Sequence, residues 1–339
     1  MSRNSQASVD GGRQFWAGGS GKWAGERLLA AVQKGEPFAP GALRTLETLR
    51  NEEWKAFDSA IVQGAQTKLR LVADLIAAGL TIPLPNAMAK TVLEYDLVGD
   101  MDPATVSMDG MARSENDTIE WEMAGLPIPI THKDFFINIR RLMASRLGGQ
   151  PLDTLQSTIS GRKVGEEIER MTIQGGKQFQ SLPIYGLLTH PNRNTMSFGT
   201  GGNWAQAAKT GAQILTDIMT MMSALQTDGF DGPYWVYYPT NAQLHLLEDY
   251  KAESDKTIRD RVLELTDITK FEPLAQLPAG NVVMFQATKD VIAMVNGEDV
   301  QTVQWDVNGG FGVNFKAFAI QIPLVRADAD HNSGIAHMS

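Results

Sequence analysis

The stretch from Pro151 to Gln174, PLDTLQSTISGRKVGEEIERMTIQ, constrains this chain more than any other. Leu152, Leu155 and Ile159 fall at helical spacing, the register slips by one residue, and Val164, Ile168 and Met171 continue it, so one apolar stripe runs along one long helix. Pro151 suits a first helical turn, and Gly148, Gly149, Gly175 and Gly176 punctuate both ends. The segment is about 24 residues, or roughly 36 Å at ~1.5 Å rise per residue. Such a helix is weakly stable alone in water and needs neighbours along its whole length.

A chain of 339 residues can supply them, with room for about two packed units. Its 43% hydrophobic and 20% charged residues suit a folded globular protein rather than a disordered one. The formal net charge of -9 argues against a broad basic face that wraps nucleic acid, because phosphate affinity depends on lysine and arginine. With no cysteine there is neither a disulfide framework nor a thiolate metal site, which fits a reducing compartment. MSRNSQASVDGG lacks the apolar centre of a signal peptide, and no run of about 18 apolar residues occurs, so no membrane partner is expected.

Residues 1–41 are rich in Gly and Ser around Phe15, Trp16 and Trp23, and read as an extended, slightly basic arm that keeps its aromatics for a docking surface. The bland alternative is a disordered tail with a short helix at 27–33. From Leu43 to Ile76, Leu43, Leu46, Trp54, Phe57, Ile61, Leu69, Val72 and Ile76 follow helical spacing, with Gly64 a candidate break. Residues 91–131 then alternate as strands do, broken by Asp, Gly and Pro, which predicts a long two-stranded excursion. In DTIEWEM, Ile119, Trp121 and Met123 share one side and Thr118, Glu120 and Glu122 the other. Between Gly99 and Glu122 seven carboxylates oppose Arg113 alone, whereas Lys133 to Arg170 carries seven basic residues against five acidic ones.

DFFINIRRLMASRLGG, with Phe135, Phe136, Ile139 and Leu142, is expected to be a short helix. LPIYGLLTHPNRN reads as a strand or turn, 195–203 as a glycine-rich loop, and Trp204 to Leu225 as a helix carrying Ile214, Ile218, Met221, Met222 and Leu225 on one side, a stripe typical of core. Tyr234 to Tyr238 is expected as a buried strand, followed by helices at Asn241–Asp249 and Asp255–Leu265. Short strands follow at 282–286, 291–295 and 302–307, then a long closing strand from Gly312 to Val325 and a loose polar tail.

Few residues suggest chemistry. His132, His190, His245, His331 and His337 lack metal-site spacing, and no metal or cofactor site is expected. GGSGKW at 18–23 misses the phosphate-loop pattern, since Trp16 stands where its first glycine belongs and no Ser or Thr follows Lys22. Neighbouring carboxylates such as Glu166 and Glu167 point in different directions on a helix, and no G-x-S-x-G elbow occurs. No catalytic constellation emerges, and a binding or structural role is favoured over an α+β enzyme.

The order of elements, with LPIPITHKDFFI (126–137), RKVGEEIERMTIQG (162–175), YGLLT (185–189) and DGFDGPYWVYYPTN (228–241), resembles the shell proteins of the Hong Kong 97 phage fold, an α+β architecture, and within it encapsulins and encapsulin-like phage major capsid proteins. The resemblance implies an N-terminal arm (1–41), peripheral-domain helices (42–94), an extended loop (95–131), the peripheral domain with its spine helix (132–179), an axial domain (180–298), a strand returning to the peripheral domain (299–326) and a loose tail (327–339). It further implies a non-enzymatic major capsid protein that assembles with itself into pentamers and hexamers of an icosahedral head. That head would enclose double-stranded DNA without sequence-specific contacts, meet portal and decoration proteins, and reside in the virion after assembly in the host cytoplasm. The alternative is an encapsulin compartment around a protein cargo. The arm before residue 42 and the extended loop are both longer than in encapsulins, which favours the capsid.

On this resemblance the charge contrast gains a mechanism: the acidic loop lies across the basic spine region of the next subunit and steers assembly. The expected interface comprises Trp16 and Trp23 of the arm, Ile119, Glu120, Trp121, Glu122 and Met123 of the loop, and Arg140, Arg141, Arg162 and Lys163 of the basic face.

Overall fold

The computed structural model describes residues 51–67, 69–98, 106, 108, 121–138, 140–141, 143–144, 154–176, 178–179, 181–251, 255–307, 311–328 and 331–339. Trp16, Trp23, the helix expected at 27–33, Leu43, Leu46, Ile119, Glu120, Pro151 and Leu152 lie outside the described residues.

The long helix is present as α3 (Leu155–Gln174), and its buried face keeps the expected stripe in its second half but not in its first. Leu155 and Ile159 are 60% and 40% exposed, while Ser157, Ser160, Gly161, Val164, Gly165, Ile168 and Met171 are buried. The cause is helix α1 (Asn51–Gln66), which lies so close that side chains at the crossing would collide with backbone. A Cβ on Gly165 would stand 2.5 Å from the Ala65 carbonyl oxygen, one on Gly161 would overlap the Ile61 carbonyl, and one on Gly64 the Thr158 carbonyl. Gly64 is therefore a contact inside α1 and not a break. The break falls after Gln66, before α2 (Leu71–Ala77). Gly175 ends α3 in a positive-φ conformation (φ 81°), which glycine adopts without strain.

After α2 come β1 (Thr81–Pro83), β2 (Val92–Val98), β3 (Trp121–Pro127) and β4 (Thr131–Asn138). β4 replaces the first part of the helix expected from DFFINIRRLMASRLGG, up to Asn138, whereas 140, 141, 143 and 144 are helical as expected. Its apolar spacing fits either structure, and pairing along its length with β10 (Gly312–Val325) decides in favour of the strand. Phe135 thereby stacks on Phe315 at 5.0 Å, and Phe315 on Phe57 at 5.5 Å. The short strands expected at 291–295 and 302–307 are one strand, β9 (Ile292–Val307), continued through Asn296-Gly297 by its pairing with β10. The four-stranded sheet runs β1-β9-β10-β4.

The remaining elements are β5 (Asn194–Met196), α4 (Gly211–Thr227), β6 (Tyr234–Pro239), α5 (Gln243–Leu246), α6 (Ile258–Leu263), β7 (Ile268–Leu274), β8 (Val282–Gln286) and β11 (Ile335–Met338). Helix α4 starts later than expected because Thr210 caps it through a reciprocal bond pair with Gln213, which leaves Trp204 in the preceding loop. The helices expected at 241–249 and 255–265 shrink to α5, preceded by a 3-10 turn, and α6. The tail read as loose ends in β11, fully buried between β5 and β8 in a mixed sheet ordered β5-β11-β8-β6-β7.

Every residue of β6 is buried because that sheet is covered on both faces. Ile61, Leu75, Val164 and Ile168 pack with Tyr237, Phe285, Met294 and Ala317 in one core spanning the helices and both larger sheets. Ile214, Ile218 and Met221 of α4 pack with Val236, Tyr238, Met284 and Met338 in a second.

Candidate assembly interface

Strands β2 and β3 form a sheet of their own, paired from Val92–Pro127 to Val98–Trp121. The base of this ribbon is anchored: Leu126 and Ile128 are buried with Leu84, Ile184, Ile322 and Leu324. Further out it is open, and Met123 is 69% exposed. Beside Met123, a hollow lined by Tyr95, Gly125, Leu182, Tyr185 and Leu324 separates ribbon from body. Burial raises the Tyr95 hydroxyl above its ordinary pKa, opposed by the Arg326 guanidinium, which sits 5.7 Å from its ring. Trp121 and Glu122 open β3 at the outer end of the paired segment.

The basic face is less free than its sequence suggests. Arg162 and Lys163 converge on one carboxylate, Glu166, at 3.6 and 2.6 Å, and Arg170 is held by Glu167 at 2.5 Å. Such exposed pairs contribute little to stability, about 0–1 kcal/mol each, and exchange readily for other partners. Arg140 and Arg141 are exposed on a short helical stretch after β4, where the Arg140 amide donates to Asn138 Oδ1 at 2.8 Å. Of the expected site residues, then, the structure brings Arg162 and Lys163 together on α3, and Trp121, Glu122 and Met123 along β3.

Three buried polar groups carried no signal in the spacing of the sequence. Glu169, on the sheltered side of α3, accepts from the amides of Leu71 and Val72 at 2.7 and 3.2 Å and so caps the start of α2. Desolvation pushes its carboxyl up to about 7, against the pull of those amides. Lys209, fully buried, pairs with Asp217 at 2.7 Å, and the same carboxylate accepts from the Trp204 indole at 2.9 Å. The third group joins His190, Arg193 and His337 at the edge of β11. These are structural tethers, with bonding capacity spent inside the fold. Among the described residues no group of three or more His, Cys, Asp or Glu could hold a metal ion. No helix among them is long and apolar enough to cross a membrane.

A long helix lying on a four-stranded sheet, a separate two-stranded ribbon, and a mixed five-stranded sheet beneath a second helix make up the Hong Kong 97 capsid fold. A virus-like particle protein from Pyrococcus furiosus superposes with a TM-score of 0.62 at 16% identity, over 85% of this chain and 99% of that one. The capsid protein of Myoviridae phage XM1 superposes with a TM-score of 0.59 at 11% identity, over 77% and 90%. In sequence, the chain is 25% identical over 242 residues to the type 1 encapsulin shell protein EncA of Myxococcus xanthus, covering 69% of this chain and 71% of that protein. The chain belongs to a family of unknown function, DUF6260, whose profile matches residues 42–335.

Proposed function

We propose that this chain is the subunit of a closed protein shell built from copies of itself. The observation that carries the reading is the β2–β3 ribbon, which pairs with neither larger sheet and leaves Met123 open to solvent. A two-stranded ribbon is at best marginal in water by itself, so its outer part gains most from a surface on another copy. Many weak contacts repeated around a shell then act together, because each new subunit joins at high effective concentration. On this reading the ribbon is the extended loop, α3 the spine of the peripheral domain, and the five-stranded sheet with α4 the axial domain. Electron microscopy of the full chain after expression tests it: closed particles are expected, and a small soluble oligomer at every concentration and ionic strength overturns it.

The ribbon is assigned to the neighbouring copy's α3, with Glu120 and Glu122 competing with Glu166 for Arg162 and Lys163. Trp121→Ala combined with Glu120→Lys and Glu122→Lys is expected to block closure. Shells that still close with unchanged sensitivity to salt overturn that assignment.

For the contents we take the head of a tailed double-stranded DNA phage as the leading reading, supported by the sequence of the arm, residues 1–41, with Trp16 and Trp23, and by the long acidic loop. An encapsulin compartment is the second reading, favoured by the relationship to EncA. Particles purified from the native source distinguish them: nuclease-protected DNA of uniform length supports the first, and a single enclosed protein the second.

A further inference from the structure

Of the three tethers, the one at β11 is built from groups that titrate near neutral pH. Arg193, just ahead of β5, donates Nε–H to His337 Nδ1 at 3.2 Å and Nη1–H to the His190 carbonyl at 2.8 Å. A guanidinium has no acceptor, so His337 Nδ1 is bare and its proton sits on Nε2, which donates to Asn281 Oδ1 at 2.8 Å. His190 Nδ1 accepts from the Asn192 amide at 3.3 Å, and its ring meets Tyr185 edge-on. Both histidines are buried.

Among the described residues, the groups facing the two rings offer a second positive charge no compensation. On the loop before β5 the facing groups are Tyr185, His190 and Arg193, and before β8 the neutral Asn281. β5 and β8 contain no titratable residue, and Asn194 of β5 is bonded to Asp228 at 2.6 Å. Asp217, the only charged residue of α4, which packs on the other face of β11, is committed to Lys209 and Trp204. A proton on His337 therefore removes the acceptor for Arg193 and sets two cations against each other, and a proton on His190 likewise displaces the Asn192 amide. The element these bonds secure is short: β11 has three paired positions with β5 and four with β8.

We propose that His190, Arg193 and His337 form an acid-sensitive latch, and that its protonation releases β11 from between β5 and β8 while the rest of the fold persists. Burial and the Arg193 charge hold both histidines down to about 4, against about 6.5 when free. The released state takes up protons first, so release grows as pH falls through 6.5 and levels off below 4. For one histidine the full shift amounts to about three hundredfold in the opening equilibrium, since each pKa unit is a factor of ten, and the factors of the two multiply.

The test is hydrogen exchange of the full chain, read by mass spectrometry from pH 7.5 to 4 and corrected for the intrinsic pH dependence of exchange. Amides of 335–338 are expected to lose protection at least a hundredfold over that range, what one histidine supplies by pH 4, while β6 amides keep theirs. In His337→Gln, whose amide can accept from Arg193 and donate to Asn281 at any pH, the loss is expected to shrink at least tenfold. Protection of β11 that is independent of pH, or that vanishes only together with β6, overturns the proposal. If His337→Gln does not fold, the wild-type comparison of β11 with β6 still decides, with carboxypeptidase trimming at pH 5 and pH 7 as a second readout. Each of these measurements is independent of whether the chain forms a shell.

Discussion

The two long helices, α3 and α4, solve the same packing problem in opposite ways. α3 meets its neighbour backbone to backbone through Gly161, Gly165 and Gly64, and turns Arg162, Lys163, Glu166, Glu167 and Arg170 outward. α4 meets its sheet through Ile214, Ile218, Met221 and Leu225, and shows solvent a face with no charge at all: Thr216, Met219, Thr220, Ser223 and Thr227. Even the hydroxyls there turn inward, since Thr216, Thr220 and Thr227 donate to the carbonyls of Ala212, Thr216 and Ser223. A helix fixed by small residues tolerates charge outside and nothing extra inside. A helix fixed by side chains depends on one internal charge pair at its loop.

The largest effect should come from the pair on α4. Asp217→Asn leaves Lys209 charged and fully buried without a counter-ion, and a loss of about 3–5 kcal/mol in urea unfolding is expected. A loss within 1 kcal/mol would show that the loop yields water to Lys209. Next is the seam on α3: Gly161→Ala drives a methyl into the Ile61 carbonyl and is expected to cost about 2–3 kcal/mol, although alanine is the better helix former. If that variant were more stable than wild type, the close crossing would be refuted.

The two halves also differ in the sign of their response to pH. Glu169 on α3 holds its proton up to about 7 in the fold but only to about 4.5 unfolded, so the stability it contributes is full below 4.5 and is lost as pH rises towards 7. The histidines beside β11 act oppositely, losing stability as pH falls from 6.5 towards 4. Glu169→Gln should therefore flatten the decline in denaturation midpoint between pH 4.5 and 7 and leave the acid side unchanged; an unaltered slope there would remove Glu169 as its source. The smallest effects belong to the outer surfaces. Met219→Lys on α4 and Ile159→Ser on α3 are each expected within about 0.5 kcal/mol of wild type by thermal unfolding, because neither side chain is part of a core.

Much of the architecture was legible where polarity alternates cleanly. The ribbon, the buried β6 and the closing β10 follow from Val92–Val98, Tyr234–Pro239 and Gly312–Val325. The long helix was legible as a helix, and its buried side was legible at Val164, Ile168 and Met171; the rest of that side was not, because glycine and serine at 157, 160, 161 and 165 carry no hydrophobic signal and matter only once α1 lies against them. Phe135 and Phe136 belong to a strand because Phe315 and Asn314 of β10 pair with them from 180 and 178 residues further along, partners no local window contains. For the interface, the partnering of Arg162 and Lys163 by Glu166 was not legible, because it depends on rotamers and not on charge counts.

The placing of β11 also has a consequence for how the molecule is made. Strands β5 and β8 are synthesised well before the four residues that join them, so while the ribosome still holds 335–338 the sheet has a gap in its middle. A nascent subunit cannot complete this half of itself until its final strand emerges, and until then it exposes two open strand edges to every other chain in the polysome.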